Sequence, residues 1–224
     1  MTSDLVSLVA RRAAIIRIDA AYRLSVRTAA ASPWVRPFPP RLPPGAASCR
    51  SVASQLPLRS PASLKRDICL NAIDLAKVLR FDEARVAILS AVENITRKLP
   101  STLEAAALRK MADRRQISGG LVDGPLKFDD AVSAGAARQA HIVSPVAGKA
   151  NILLVPDIES GNMLVKQLTF MSGAEGAGIV LGARVPIILT SDADKLRTRL
   201  ASAATAVPLA HAQRRSTAIQ SAAE

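Results

Sequence analysis

Aromatic side chains make up only 3% of the 224 residues, with one Trp, one Tyr and four Phe. A core must therefore be assembled from Leu, Ile, Val and Ala, and stacking of nucleic-acid bases on aromatic platforms has little to work with. Cysteine is nearly absent as well. Cys49 and Cys69 supply neither a disulfide framework nor metal-ligand spacing, so a reducing compartment, the cytoplasm, is the expected setting. Two isolated histidines, His141 and His211, spell out no metal centre and no catalytic dyad. Cys69 falls within an amphipathic pattern and reads as a packed residue rather than a nucleophile. No apolar run reaches the roughly 18 residues of a membrane span. The patterns G-x-x-x-x-G-K-[ST], G-x-G-x-x-G and G-x-S-x-G do not occur, which removes the P-loop, the dinucleotide fingerprint and the nucleophile elbow.

Lysine and glutamate are missing from residues 1–63. That stretch holds nine Arg against two Asp, +7 of the chain's +12, and eight of its fourteen prolines. The remainder carries the other +5 with both signs interspersed, so the basic excess sits where folding is least encouraged. Prolines interrupt Ser32–Ser63, where neither a period of 2 nor one of 3.6 is found, and regular structure is not expected there. The preceding LVSLVARRAAIIRIDAAYRL has the makings of a short helix but no neighbouring element to pack on. Its arginines follow the apolar stretch instead of preceding it, unlike a secretory signal. Unclustered arginines with few aromatics argue against a nucleic-acid partner. Residues 1–63 read as a disordered or non-homologous basic segment, residues 64–210 as the folded domain, and residues 211–224 as a C-terminal tail.

From Leu64 onward the pattern is regular. Ile68, Ala72, Leu75, Ala76 and Leu79 recur at helical spacing. RVAILS (Arg85–Ser90) reads as a buried strand. STLEAAALRKMADR opens with Ser101 and Glu104, the spacing of a capping box, and continues as an Ala-rich helix. ISGGLVDGPL and NILLVPD supply further strands, and SGNMLVKQLTF a helix with Leu164, Leu168 and Met171 on one face. GIVLG and VPIILTS are separated by so few residues that only an antiparallel hairpin can join them. A last helix is expected to bury Leu196, Leu200, Ala203 and Val207. The alternation implies an α/β fold, a mostly parallel sheet covered by helices on both faces.

In such sheets ligands bind beyond the carboxyl ends of the strands, where helices begin. VPDIESGNMLVK meets that description. Asp157 turns the chain, Ser160 or Gly161 opens a helix, and Asn162 and Lys166 stand four apart on one helical face. An amide and an ammonium beside free backbone N–H groups would cradle an anion; equally, Ser160 would serve as an ordinary cap and Lys166 as a solvated charge. The loop after VPIIL offers Ser191, Asp192 and Asp194. These suit a helix start and its dipole, while two carboxylates there would repel an anion.

Three segments, DGPLKFDDAV (Asp123–Val132), SPVAGKANILLVPDIESGNMLVKQL (Ser144–Leu168) and GARVPIILTS (Gly182–Ser191), resemble the phosphate acetyl/butyryltransferase family in content, order and separation. The last of them resembles the butyryltransferase-like branch. The resemblance implies transfer of an acyl group from an acyl-CoA to inorganic phosphate, giving acyl phosphate and free coenzyme A, with no further cofactor and no metal. It implies an isocitrate/isopropylmalate-dehydrogenase-like fold with the substrates in a cleft between two domains, and a homo-oligomer. Gly161, Asn162 and Lys166 match the family's G-N-x-x-x-K element and, with Asp157, are expected to bind substrate. Ser191 matches a serine at the family's thioester and phosphate region and is the expected catalytic residue. Asp192 stands where the family carries an arginine. The family's first domain, the opposite cleft wall, has no counterpart in residues 1–63, so a truncated or impaired enzyme is expected. The alternative is a non-catalytic acyl-CoA-binding and oligomerisation domain.

Overall fold

Strand β3 (Arg85–Leu89) turns Val86 and Ile88 to one side of the sheet and Ala87 and Leu89 to the other, and all four are buried. β5 (Ile152–Leu154) divides in the same way, Ile152 and Leu154 against Leu153. Strands apolar on both faces need helices on both faces. The computed structural model, which describes residues 14–19, 50–54, 62–171, 174–183, 185–190 and 194–221, supplies them. One core lies under α1 (Ala62–Val78), α2 (Pro100–Asp113) and α6 (Leu196–Ser221). The other lies under α3 (Phe128–Val132), α4 (Ala134–Gln139) and α5 (Ile158–Met171).

The remaining strands are β1 (Ala14–Asp19), β2 (Arg50–Ser54), β4 (Leu121–Leu126), β6 (Glu175–Val180) and β7 (Ile187–Ile188). Their order across the sheet is β4-β3-β5-β2-β1-β6-β7. β4, β3, β5 and β2 pair in parallel. β1 is antiparallel to both of its neighbours, which returns β6 to the common direction. β7 folds back on β6 as the short connection requires, with Val180 opposite Ile187. The chain is thus α/β with a mostly parallel sheet and helices on both faces.

Several details depart from expectation. Residues 1–63 contribute two strands to the centre of the sheet. Ala14–Asp19 is a strand and not a helix; its AIIRID sequence carries three β-branched isoleucines. Arg50–Ser54 contains no proline, so the prolines around it do not bar a ladder. Strand pairing therefore crosses the expected boundary at residue 64. At the other end α6 runs on to Ser221, through most of the expected tail. The capping box at Ser101 does not form: the cap falls two residues earlier, at Leu99, with Pro100 at N1. Glu104 instead pairs with Lys65, a nearly buried ammonium on α1, and ties the two helices together. In α5, Leu164 and Leu168 are half-buried, while Met171 at the helix end is exposed. The largest departure is in α6, where Leu196, Leu200 and Val207 face outward. Its inward face is Ser202, Thr205, Ala206 and Leu209.

Candidate functional site

Five strands, β2 to β6, end at the same edge of the sheet, and the loops leaving that edge after β3, β4 and β5 bring polar groups together. Val155 closes the run from β5, and Pro156-Asp157 turns into α5. The Asp157 carboxylate accepts from the Ser160 backbone N–H and the Ser160 hydroxyl, both at 2.7 Å. Asp157 is therefore the cap that Ser160 was expected to be, and its charge already faces the positive end of the helix. Gly161 is buried at the first turn, its N–H reaching the Asp157 carbonyl at 3.2 Å. Asn162 and Lys166 are exposed on the outer side of α5. The Lys166 ammonium lies 5.9 Å from the centre of the Phe170 ring, one turn toward the C-terminal end of the helix. In this arrangement the ammonium leans away from the helix N-terminus.

The second group was missed in the sequence. Lys127, directly after β4, bridges Glu93 in the loop after β3 (3.2 Å) and Asp130 in α3 (3.4 Å). Asp130 is 1% exposed and its Oδ2 has no hydrogen-bond donor, so the pairing with Lys127 is Coulombic and poorly directed. A hydrogen bond from its own backbone N–H, and then Lys127, hold the Glu93 carboxyl below the usual carboxylate range. The hydrogen bond to Glu93 is the main cause that raises Lys127, with Asp130 adding to it. Beside them Ser90 and Ser101 share a hydrogen bond of 2.8 Å, which joins the end of β3 to the first turn of α2. The one signal available beforehand was position. Lys127 and Asp130 lie in DGPLKFDDAV, immediately beyond a strand's carboxyl end.

The glycines of the other two motifs are structural. The Asp123 carboxylate accepts from the Gly124 N–H at 2.9 Å and meets Arg109 Nε at 3.2 Å. A Cβ on Gly124 would stand 2.7 Å from both Cβ and the carbonyl oxygen of Ile88, so the D-G-P element is where β4 touches β3. In SPVAG, Ser144 Oγ accepts from the N–H groups of Val146 and Ala147. Gly148, with φ +72°, donates to the Asp130 carbonyl at 2.7 Å. A Cβ there would come within 2.5 Å of Ala134 Cα. This loop clamps α3 and α4, and with them Asp130.

Ser191 and Asp192 lie outside the described residues. Of their flanks, Thr190 follows β7, which runs from the carboxyl edge toward the opposite one, with the Leu189 N–H bonded to the Gly178 carbonyl at 3.1 Å. Burial pushes the Cys69 thiol up to about 12, so it is no nucleophile at neutral pH. His141 and His211 are exposed and far apart in sequence. Among the described residues no cluster of His, Cys, Asp or Glu is suited to a metal ion, and no helix is long and apolar enough to cross a membrane.

Comparison with known proteins places these motifs. Residues 60–207 match the family described as phosphate acetyl/butaryl transferase. A phosphate acetyltransferase of Rhizobium meliloti is 64% identical over 142 residues, 63% of this chain and 45% of that protein. A phosphate butyryltransferase of Clostridium acetobutylicum is 44% identical over 146 residues, 65% of this chain and 48% of that one. The chain spans less than half the length of these two relatives. In three dimensions it is similar to a branched-chain phosphotransacylase from Enterococcus faecalis V583, with a TM-score of 0.71 and 26% identity over 89% of this chain and 63% of the other. With the family match running through all three motifs, the chain belongs to the phosphate acetyl/butyryltransferase family.

Proposed function

We propose that this chain carries the acyl-CoA- and phosphate-binding portion of a phosphate acyltransferase, acting on acyl-CoA and inorganic phosphate to give acyl phosphate and coenzyme A. The observation that carries the reading is the family match over residues 60–207, with its P-D-x-x-x-G-N element at the carboxyl edge of the sheet. The reaction suits a chain without a protein nucleophile. A phosphate oxygen attacks the thioester carbonyl, the tetrahedral oxyanion collapses, and a thiolate of ordinary pKa about 8.5 departs. The protein has only to align the two substrates and stabilise the oxyanion. In this reading Asp157 fixes the start of α5, Gly161 lies buried in its first turn, and Asn162 and Lys166 turn to the anionic substrate when it binds. Ser191 acts at the thioester, in a cleft of the isocitrate-dehydrogenase-like kind. No cofactor or metal takes part, the protein works as a homo-oligomer in the cytoplasm, and neither nucleic acid nor membrane is a partner. Higher identity to the acetyltransferase than to the butyryltransferase, 64% against 44%, supports acetyl-CoA as the preferred donor.

Turnover by this chain alone is expected to be weak or absent. Asp192 takes the family's arginine position, and exchanging attraction for repulsion beside phosphate costs on the order of 1–4 kcal/mol at contact range. That observation also favours a second reading, an acyl-CoA-binding domain without catalysis. Coenzyme A release from acetyl-CoA and butyryl-CoA with phosphate, read beside equilibrium binding of acetyl-CoA, separates the two. Slow turnover that rises in Asp192→Arg supports an impaired enzyme. Binding without turnover in both forms supports the binding domain. Turnover at the rate of ordinary enzymes would refute the impairment, and absence of both binding and turnover would refute the proposal as a whole.

A further inference from the structure

The loop after β3 is pinned at both ends and lightly held between them. At its start the Ser90 N–H donates to the Leu126 carbonyl at 2.9 Å. At its far end the buried Thr102 hydroxyl lies 2.9 Å from the Thr96 carbonyl and 2.7 Å from that of Leu99, and accepts from the Thr96 N–H at 3.0 Å. Residues 91–95 run between these anchors. Among the described residues, the Glu93–Lys127 bridge is the one hydrogen bond or ion pair that joins them to another element. Ala91, Asn94 and Ile95 are exposed.

The two halves of the Lys127 bridge differ in strength. Glu93 and Lys127 are each about one third exposed, 31% and 34%, and Asp129 sets a like charge against Glu93. A pair so placed breaks easily. Asp130 is buried, and loss of Lys127 would strand its carboxylate. Lys127 therefore stays on Asp130 when Glu93 lets go, and residues 91–95 open from a fixed post. The post is poorly suited to an anion, because two carboxylates already hold its one ammonium and Asp129 stands beside Glu93. What the segment offers to a ligand is the Asn94 amide and the apolar Ile95 side chain.

We propose that residues 91–95 form a strap at the carboxyl edge of the sheet, latched by Glu93 on the positioning residue Lys127, that closes on the pantetheine arm of acyl-CoA. That arm alternates amide groups with methylenes, which Asn94 and Ile95 match in kind. The choice of ligand rests on the acyl-transfer reading; the latch does not. A strap that meets its ligand only when closed is held closed by it, and breaking the latch must weaken the ligand through the same coupling.

Thermolysin cuts on the amino side of large apolar residues, so cutting of the full chain before Val92 and Ile95, mapped by product mass, reports how often the strap is open. Glu93→Ala keeps the Lys127–Asp130 pair and is expected to lower the melting temperature less than Lys127→Met does. It is expected to speed cutting at these two sites by about tenfold or more and to weaken acetyl-CoA binding by about fivefold or more. Saturating acetyl-CoA is expected to slow the same cuts in the native chain, and inorganic phosphate alone to leave them unchanged. Cutting that Glu93→Ala does not speed overturns the latch. Acetyl-CoA that binds without slowing the cuts, or that binds Glu93→Ala as tightly as the native chain, overturns the coupling and leaves the acyl-transfer reading standing. Slowing by phosphate alone overturns it too, since Lys127 would then be an anion site. A native chain that binds no acetyl-CoA overturns the ligand and the acyl-transfer reading together.

Discussion

Gly148 shows what a single position decides in this fold. Its left-handed backbone and the 2.5 Å approach of a would-be Cβ to Ala134 Cα leave no side chain an acceptable place. Gly148→Ala is expected to cost at least about 2 kcal/mol, strain and steric displacement together, in urea unfolding; a loss within half of that would show that the loop gives way freely. Lys127 makes a different case, because its contribution depends on pH. Glu93 is held below its usual value, so its part of the bridge is present above the unfolded carboxylate pKa and fades as acid protonates it. Lys127 is raised above its own, so its part is present at ordinary pH and fades as base removes its proton. The melting-temperature gap between the native chain and Lys127→Met should thus be widest from about pH 6 to pH 9 and narrow toward both extremes. A gap constant from acid to base would mean that the bridge adds nothing. Neither residue stood out in the sequence, since a lysine after a strand looks like any solvated charge until the loop after β3 brings Glu93 to it.

Elements were more legible than their faces. Ile68, Ala72, Leu75, Ala76 and Leu79 share a helical spacing in the sequence; the first four are buried in α1, and Leu79, just past its end, is half-buried. The same spacing in α6 picks out Leu196, Leu200, Ala203 and Val207, of which Ala203 is half-buried and the three larger residues are on the outward side. Periodicity reports that a helix has an apolar stripe, not that it is the stripe the sheet receives. Ser202 and Thr205 look wrong for a core until their hydroxyls are seen bonded to the carbonyls of Thr198 and Ala201, with Gly178 N–H as a further donor to Ser202. The contrast can be measured. Leu209→Ala, in the core, is expected to cost about 2–5 kcal/mol. Leu200→Ala should change stability by less than about 1 kcal/mol. Comparable losses from the two substitutions would mean that α6 sits the other way round.

At the scale of the molecule the sequence divided the chain where the sheet does not. Composition set residues 1–63 apart, and the family match runs from residue 60. Composition could not report that β1 and β2 lie between β5 and β6, because pairing across more than a hundred residues leaves no local mark. Both insertions answer to short runs, AIIRID and RSVAS, which the surrounding arginines and prolines overwhelm in any average. The consequence is mechanical. Without residues 1–63, β5 and β6 each lose a partner strand, and two rows of backbone N–H and C=O groups in the middle of the sheet become edges. The halves would then be joined only through helix contacts such as those of α1 with α6. A chain beginning at Leu64 is therefore expected to lose cooperative thermal unfolding and to elute from size exclusion as aggregate, although it retains all three segments that resemble the family. Should it instead elute as a monomer with an unchanged melting curve, β1 and β2 would be dispensable, and the folded domain would begin where composition placed it.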